Sequence, residues 1–301
     1  METQITKSEF FARIREKTLN FSPKNMALAN FVVQNYQRVA FLTARQLAQE
    51  CGVSESTVMR FVTALDYTGY PDFLRTLRGI VNYELTAVER LEITPQEKKR
   101  RRGRKRTERL ARKTILTEIE NLRRLYDQFS EEDFDRAVEE IVQAEDIVIV
   151  GFRVSASLAG YFGYVLKKVK ESVIVVTRGG STVYEELEQM GKTSLIIALG
   201  FRRYPAELID LLRYCKTRGL RIFAITDSMI SPVAALADVI QIVEFEGESF
   251  VDTFAAPMCL INGLIAETAM RDKKKSLSML NRLERIADEK KVYFQETNRE
   301  T

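Results

Sequence analysis

The sequence contains no histidine among its 301 residues, and it has only three cysteines. The absence of histidine excludes Ser-His-Asp and Cys-His triads, zinc sites with histidine ligands and a histidine general base. Cys51, Cys215 and Cys259 are far apart in the chain, so they indicate neither a CxxC site nor a full disulfide framework. We therefore expect a reducing, intracellular environment.

Long hydrophobic runs are also absent. No apolar stretch approaches the roughly 18 residues that a membrane span requires, and residues 1–20 are too charged for a signal peptide. Hydrophobic residues make up 45% of the chain and charged residues 29%, which are ordinary globular values. The composition and length predict a soluble cytoplasmic protein of two domains with no membrane partner.

The net charge of +4 is unevenly distributed along the chain. Residues 1–85 carry a net charge of +2, residues 86–130 carry +7, and residues 131–301 carry −5. The basic peak at residues 98–106 is interrupted only by Gly103. Such a run is typical of a flexible linker or of an arm that touches nucleic acid phosphates, and both interpretations stay open. A polyanionic partner is expected for the first part of the chain only.

Residues 1–85 show helical patterns and no strand pattern. Pro23 suits the first residue of a helix, Thr43 and Ser54 suit helix caps, and Asp72 is predicted to begin the helix that follows. Residues 107–129 predict a polar helix with one apolar side, formed by Ile115, Ile119, Leu122 and Leu125.

After residue 144 the pattern changes to short apolar runs that alternate with helical segments. The five runs are residues 147–150, 173–176, 195–199, 222–225 and 239–243. This alternation predicts an α/β three-layer sandwich with a five-stranded parallel sheet that is covered on both faces. Ligands of such sheets bind beyond the carboxyl ends of the strands.

The predicted organisation has four parts. Residues 1–85 form an all-α helix-turn-helix domain, residues 86–130 a basic linker and connecting helix, residues 131–285 the α/β domain, and residues 286–301 a C-terminal tail.

Residues 43–61 fit a helix-turn-helix. Ala48 is small where two helices approach closely, and Gly52 can adopt the positive φ that the turn requires. The second helix of such a unit enters the major groove of DNA. Its cap and the residues that periodicity turns outward are the predicted DNA-binding set: Ser54, Glu55, Ser56, Thr57, Met59, Arg60 and Thr63. The alternative is a helical hairpin used only for packing, in which Ser54 is a cap alone.

Three loops after strands carry hydroxyl and guanidinium groups that suit a small anion. The predicted effector-binding residues are Arg153, Ser155 and Ser157 after the first strand, Ser181 and Thr182 after the second, and Arg202 and Arg203 after the third. The alternatives are that the serines are helix caps and that the arginines are solvated or lie at subunit contacts. Glu185, Glu186 and Glu188 are better explained as a solvated helix face than as a catalytic base, and no cluster suggests a metal. We predict no catalytic residue, cofactor or metal.

The order of these parts resembles the RpiR/MurR family of bacterial transcription regulators. The N-terminal resemblance is carried by Phe21-Ser22-Pro23, Leu47-Ala48, Gly52-Val53-Ser54, residues 57–61 and residues 69–73. The C-terminal half is similar to the sugar-isomerase (SIS) domain at residues 151–157, 225–228, 231–234 and 237–238. The resemblance implies an operator-binding domain joined to a domain that senses a metabolite, often a phosphorylated sugar.

The resemblance also implies that Ser155 and Ser157 are phosphate ligands of the first loop. Many SIS domains have a Ser-x-Ser-Gly-x-Thr loop after the third strand, whereas residues 200–205 here carry arginines instead. An anion still fits this loop, and a carboxylate metabolite is as open as a sugar phosphate.

These observations predict a DNA-binding transcriptional regulator, a repressor rather than an activator, and not an enzyme. The expected partners are double-stranded DNA with an inverted-repeat operator, a small anionic metabolite such as a sugar phosphate, and further copies of the chain in a homodimer or homotetramer. The alternatives are a SIS-type sugar-phosphate isomerase and a non-catalytic sensor that acts through a protein partner.

Overall fold

The computed structural model describes residues 7–18, 21–84, 86–93, 110–247 and 250–294. The chain divides into two compact units, residues 1–107 with 249–251 and residues 108–248 with 252–301. The basic run at residues 98–106 lies outside the described residues. None of the helices in the described ranges is long and apolar enough to cross a membrane.

The N-terminal unit is helical, as predicted. Its helices are α1 (Lys7–Thr18), α2 (Pro23–Val39), α3 (Ala44–Glu50), α4 (Glu55–Ala64), α5 (Tyr70–Glu84) and α6 (Ala87–Ile93). The apolar faces of α1 to α5 share one core, which includes the fully buried side chains of Phe10, Leu47, Phe61 and Phe73.

The predicted helix caps Thr43 and Ser54 are confirmed. Pro23 opens α2 as predicted, and Ser22, which was not predicted as a cap, accepts a hydrogen bond at Oγ from Asn25 N at 3.3 Å. Thr43 Oγ1 accepts from Gln46 N at 3.2 Å, while Thr43 N donates to Gln46 Oε1 at 2.8 Å. This reciprocal capping box was not predicted.

The predicted start of α5 at Asp72 is wrong, because the helix begins at Tyr70. Pro71 is tolerated within the first turn, where its missing N–H group has no intrahelical partner to lose. The carboxylate of Asp72 instead reaches back and accepts hydrogen bonds from Thr68 N and Thr68 Oγ1, both at 3.1 Å.

The C-terminal unit is built on a five-stranded, entirely parallel sheet with strand order β2-β1-β3-β4-β5, as predicted for the fold class. The strands are β1 (Asp146–Val150), β2 (Ser172–Val176), β3 (Leu195–Gly200), β4 (Arg221–Thr226) and β5 (Val239–Ile242). The helices are α7 (Leu110–Asp127), α8 (Glu131–Gln143), α9 (Ser155–Leu166), α10 (Ser181–Glu188), α11 (Ala206–Thr217), α12 (Ala255–Arg271) and α13 (Lys273–Lys290), with a 3-10 turn at Ala234–Leu236.

Helices cover both faces of the sheet because side chains alternate along each strand. Ile147 and Ile149 pack with α8, α9 and α12 on one face, whereas Val148 and Val150 pack with α10 and α11 on the other. The direction of the connections reverses between β1 and β3, so the crevice at the carboxyl ends of these strands is the topological switch point.

The predicted apolar side of the connecting helix is exposed. In α7, Ile115, Ile119 and Leu122 are solvent-exposed, and Leu125 is half-buried against the core. Residues 286–290, which we assigned to a tail, continue α13.

Candidate functional site

The turn between α3 and α4 depends on glycine. Gly52 has φ +62°, a left-handed conformation that L side chains rarely adopt. The turn is closed by Cys51 N donating to Leu47 O at 3.1 Å and by Val53 N donating to Ala48 O at 2.9 Å. Ala48 is buried, and Leu47, Val58 and Phe61 fill the adjoining core.

Helix α4 has a buried face and an exposed polar face. Val58, Phe61 and Val62 are fully buried. The predicted DNA-binding residues that lie exposed are Ser54, Glu55, Ser56, Met59, Arg60 and Thr63. This face presents hydroxyls, a carboxylate, a thioether and a guanidinium to solvent.

The prediction that Thr57 faces outward is wrong, because this residue is only 6% exposed. Thr57 N donates to Ser54 Oγ at 3.2 Å, and the two hydroxyls lie 2.8 Å apart. Thr57 follows the cap by one turn and precedes Phe61 by another, so it lies at the edge of the buried face. Its hydroxyl stabilises the start of α4 rather than facing solvent.

Two side chains on the exposed face contact the backbone one turn earlier. Arg60 Nε donates to Ser56 O at 3.4 Å, and Thr63 Oγ1 donates to Met59 O at 3.1 Å. The bond made by Arg60 is long, and its side chain remains exposed. Its guanidinium therefore keeps donors free for another acceptor.

At the C-terminal unit, the three predicted loops follow β1, β2 and β3, and parallel strands bring them to one edge of the sheet. The loop after β1 is tight, since a Cβ on Gly151 would lie 2.6 Å from Ser155 O. Arg153 has φ +57°, a strained conformation for a non-glycine residue, and its side chain is exposed.

The two serines of this loop differ. Ser155 is 5% exposed, and within the described residues its hydroxyl has no hydrogen-bond partner. Ser157 is exposed, and its hydroxyl donates to Val154 O at 2.8 Å. The backbone at the start of α9 is also engaged, because the N–H groups of residues 155–157 donate to the carbonyls of residues 152–154.

The loop after β2 presents two exposed hydroxyls, on Ser181 and Thr182. Gly180, at φ +140°, leads into α10 without a side-chain cap. A Cβ on Gly179 would lie 2.8 Å from Glu207 Oε2, so this loop packs against the start of α11.

The loop after β3 contains two arginines that differ in burial and in their contacts. The side chain of Arg202 is 9% exposed and that of its ion-pair partner Asp227 is 0% exposed, with 3.1 Å between Nε and Oδ2. Arg202 also donates to Phe245 O at 2.6 Å and lies 5.2 Å from the centre of the Phe245 ring. Arg202, which was predicted to bind the effector, is therefore held by protein groups. Arg203 is exposed, and at φ +61° it shares the left-handed conformation of Arg153.

Sequence reasoning did not find the partners of Arg202. Asp227 follows β4 in the Thr226-Asp227-Ser228 segment, and its second oxygen accepts from Tyr204 OH at 2.7 Å. A carboxylate directly after a buried strand was the available signal.

Three carboxylates, those of Asp227, Glu244 and Glu246, lie beyond the carboxyl ends of β4 and β5. Burial raises the pKa of Glu244, and the charges of Glu246 and Asp227 add to the effect, while Arg124 and Arg202 oppose it. Arg124 and Arg202 thus partly offset these carboxylates. Arg153, Arg178 and Arg203 are exposed cations on the loops after β1, β2 and β3.

The loop after β5 also binds α7 through hydrogen bonds and an ion pair. Asn121 is fully buried. Its Nδ2 donates to Glu246 O at 2.9 Å and to Thr253 Oγ1 at 3.3 Å, and its Oδ1 accepts from Glu246 N at 3.0 Å. Arg124 lies 3.5 Å from a carboxylate oxygen of Glu246. Arg202, Phe245, Glu246 and Asn121 thus form a continuous chain of contacts from the edge of the sheet to α7.

The glutamates of α10 form no cluster with a catalytic partner in this geometry. Glu188 accepts a hydrogen bond from Tyr214 OH and pairs with Arg218 at 3.3 Å, on the exposed surface. Among the described residues, no group of three or more cysteine, aspartate or glutamate side chains could hold a metal ion.

The chain matches two families. Residues 8–82 match the helix-turn-helix domain of the rpiR family, and residues 140–266 match the SIS domain. An uncharacterised helix-turn-helix-type transcriptional regulator from Clostridium perfringens is 22% identical over 236 residues, which cover 78% of each chain. Another, from Escherichia coli, is 23% identical over 196 residues, which cover 65% of this chain and 67% of the relative.

The similar solved structures include the following two. The sugar isomerase domain of an RpiR transcription factor from Sphaerobacter thermophilus is 30% identical with a TM-score of 0.57, covering 59% of this chain and 99% of that domain. Vibrio vulnificus NanR, solved in complex with ManNAc-6P, is 18% identical with a TM-score of 0.54, covering 92% of this chain and 98% of that one. The second likeness shows a common fold.

Proposed function

Because this chain belongs to the RpiR family of helix-turn-helix transcriptional regulators that carry a SIS domain, we propose that it binds an inverted-repeat DNA operator as a homodimer or homotetramer. The observation that carries the proposal is the exposed polar face of α4, directly after the Gly52 turn. In a helix-turn-helix unit, such a face lies in the major groove.

The side chains of this face suit DNA in different ways. Arg60 would bond a guanine or a phosphate, Ser54 and Ser56 would contact phosphates or base edges, and Glu55 would accept from a cytosine amino group. Met59 and Thr63 offer apolar contact to thymine methyl groups. Thr57 supports the cap of the helix and is not part of the proposed contact surface.

We propose further that a small anionic metabolite binds the SIS domain at the carboxyl edge of the sheet. The exposed guanidiniums of Arg153 and Arg203 and the hydroxyls of Ser155, Ser181 and Thr182 support this site. Two arginines held at positive φ in neighbouring loops store strain, which is typical of functional sites. Ser157 contributes its hydroxyl if it exchanges its bond to Val154 O for the ligand.

A sugar phosphate is the first candidate for this metabolite. The likeness to NanR in complex with ManNAc-6P supports that class. The loop after β3 carries arginines rather than hydroxyl groups, which also suits dicarboxylates and sugar acids. Arg202 would take part only if the ligand displaced Asp227 or Phe245 O from it.

We propose a regulator, a repressor, and not an isomerase. Asp227, Tyr204 and Arg202 are engaged with one another rather than with open space, and the chain has no histidine for proton transfer. The metabolite would act by changing operator affinity, and reciprocity requires that the operator change metabolite affinity by the same factor. Such a protein acts in the cytoplasm, where bacterial chromosomal DNA lies.

Two experiments test this function. In gel-shift titrations at physiological salt, we expect the protein to bind the DNA upstream of its own operon more tightly than unrelated DNA, and an equal affinity for both would overturn the DNA proposal. In thermal-shift screens against sugar phosphates, dicarboxylates and sugar acids, we expect one class to raise the melting temperature. Turnover of a sugar phosphate by the purified protein would overturn the assignment as a regulator without activity.

A further inference from the structure

We propose that α7 pairs with α7 of a second copy of this chain, side by side and in parallel, through a surface that we name the α7 stripe: Ile115, Ile119, Leu122 and Tyr126. This inference deepens the proposed function, on which it rests for its biological purpose, by naming the surface through which two copies join.

The α7 stripe is apolar and uncovered in the single chain. Its members are 61%, 53%, 36% and 82% exposed, in chain order. Their spacing of four, three and four residues places them on one face of a helix with 3.6 residues per turn. It is also the spacing of the a and d positions of a coiled coil, with Ile119 and Tyr126 at a and Ile115 and Leu122 at d. Within this register, Ile119 at a beside Leu122 at d is the combination that favours two-stranded pairing.

Another face of α7 is already occupied. Asn121 is hydrogen-bonded to Glu246 and Thr253, and Leu125 packs against the core of the SIS domain. Glu118, which is partly exposed, accepts a long hydrogen bond of 3.5 Å from Asn121 Nδ2. Helices in proteins gain most of their stability from tertiary packing rather than from intrinsic propensity. Because the SIS domain holds α7 in place, pairing does not have to order the helix first, and a short apolar surface is enough to contribute to a dimer.

Charges beside the α7 stripe favour the parallel orientation. Glu118 occupies the g position and Arg123 the e position, five residues later. In a parallel pair, Glu118 of each copy faces Arg123 of the other on both sides of the seam. In an antiparallel pair of the same stripes, Glu118 would meet Leu125 and Arg123 would meet Leu116, and no ion pair would form between the helices.

Arg123 is available for such a contact. Its side chain is 73% exposed, and its ion pair with Asp127 within α7 is long at 4.0 Å. Parallel pairing relates the two copies by a two-fold axis along the helices. Both copies of α7 then begin at the same end of the pair.

Disulfide cross-linking tests the pairing. Ile115→Cys, Ile119→Cys and Leu122→Cys would be made singly in a Cys259→Ser background, which removes the exposed native thiol. Under mild oxidation we expect each variant to form a covalent dimer linked through the same position in both copies, as mass spectrometry of the linked peptides would show. Glu120→Cys, exposed on α7 outside the stripe, is the matched control and should stay monomeric on a denaturing gel. Absence of the dimer from Ile115→Cys, or links from the stripe to any other part of the chain, would overturn the proposal.

Charge reversal tests the orientation in the wild-type background. We expect Arg123→Glu to raise the dimer dissociation constant about three- to tenfold in analytical ultracentrifugation, and Glu118→Arg combined with Arg123→Glu to restore it. An unchanged dissociation constant in the single variant, or a weaker dimer in the double variant, would overturn parallel pairing. The outcomes also separate this inference from the proposed function. Cross-linked dimers that do not bind the operator would leave the pairing intact and refute the DNA proposal, whereas operator binding without cross-links would refute the pairing alone.

Discussion

Asn121 of α7 and Glu246 of the loop after β5 exchange two hydrogen bonds, as two paired strands would. The amide Nδ2 of Asn121 donates to Glu246 O at 2.9 Å, and Glu246 N donates to Asn121 Oδ1 at 3.0 Å. The asparagine thereby satisfies both backbone groups of a residue outside regular structure. These two hydrogen bonds link α7 to the edge of the sheet where we propose that the metabolite binds.

Replacing Asn121 with alanine would leave the N–H group of Glu246 without its partner and weaken the hydrogen bonding of its carbonyl. We expect a loss of about 1–3 kcal/mol in the free energy of unfolding, the usual cost of an unsatisfied buried polar group. Urea unfolding followed by circular dichroism measures the loss. Glu120→Ala, on the exposed side of α7, should stay within about 0.5 kcal/mol of wild type. Equal losses in the two variants would contradict this role of Asn121.

Truncation of the two arginines after β3 should affect the free energy of unfolding in different ways. Arg202→Ala removes the partner of the fully buried Asp227, so we expect a loss of about 3–5 kcal/mol in the free energy of unfolding. Arg203→Gly should be more stable than Arg203→Ala by about 1 kcal/mol, because only glycine adopts φ +61° without strain. Thermal and urea unfolding of the three variants give both comparisons. A well-folded Arg202→Ala with wild-type stability would show that Asp227 finds another partner.

The Arg203 variants also test anion binding separately from stability. If its guanidinium holds the anion, both Arg203 variants should show a smaller rise in melting temperature with inorganic phosphate than wild type. Arg213→Ala, on the exposed surface of α11, serves as the charge-matched control. A wild-type phosphate response in both Arg203 variants would remove this residue from the proposed site.

The guanidinium of Arg60 is the expected base or phosphate contact of α4. Arg60→Ala should weaken specific operator binding by about 1–3 kcal/mol in gel-shift titrations if it reads a base. Lys192→Ala, which removes the same charge from a loop of the other unit, should leave operator affinity unchanged. A loss of affinity that is equal for operator and unrelated DNA would assign Arg60 to a phosphate, and no loss at all would exclude it from the interface.

Glu244 predicts a pH dependence of stability. Burial raises the pKa of this carboxyl in the folded protein above its ordinary value of 4.5. Between these two pKa values the folded state binds more protons than the unfolded state, so stability falls as the pH rises. Glu244→Gln removes this fall. As the pH rises above about 4.5, we expect the urea midpoint of the variant to increase relative to that of wild type. Glu132→Gln, exposed on α8, should follow the wild-type pH profile, and a Glu244→Gln profile parallel to it would contradict the prediction.

Much of the fold could be predicted because its determinants are local. Ser22, Thr43 and Ser54 cap helices through bonds to residues three positions away, and Gly52 turns the chain within a few residues. The five apolar runs became five parallel strands, since a strand buried on both faces requires such a run. The exposed face of α4 followed from helical periodicity, except at Thr57, where the buried and exposed faces meet.

The sequence by itself determined which segments are helices and strands, and which residues end each strand at a common edge. Only the tertiary structure decided which of the charged and polar groups at that edge remain available. Arg202 and Arg203 are neighbours with the same side chain, yet one is held by Asp227 across 25 positions of sequence and the other is exposed. Asn121 meets Glu246 across 125 positions. Such contacts depend on how the layers of helix and sheet pack in space. The pattern of residue types along the chain does not show which distant residues this packing brings together.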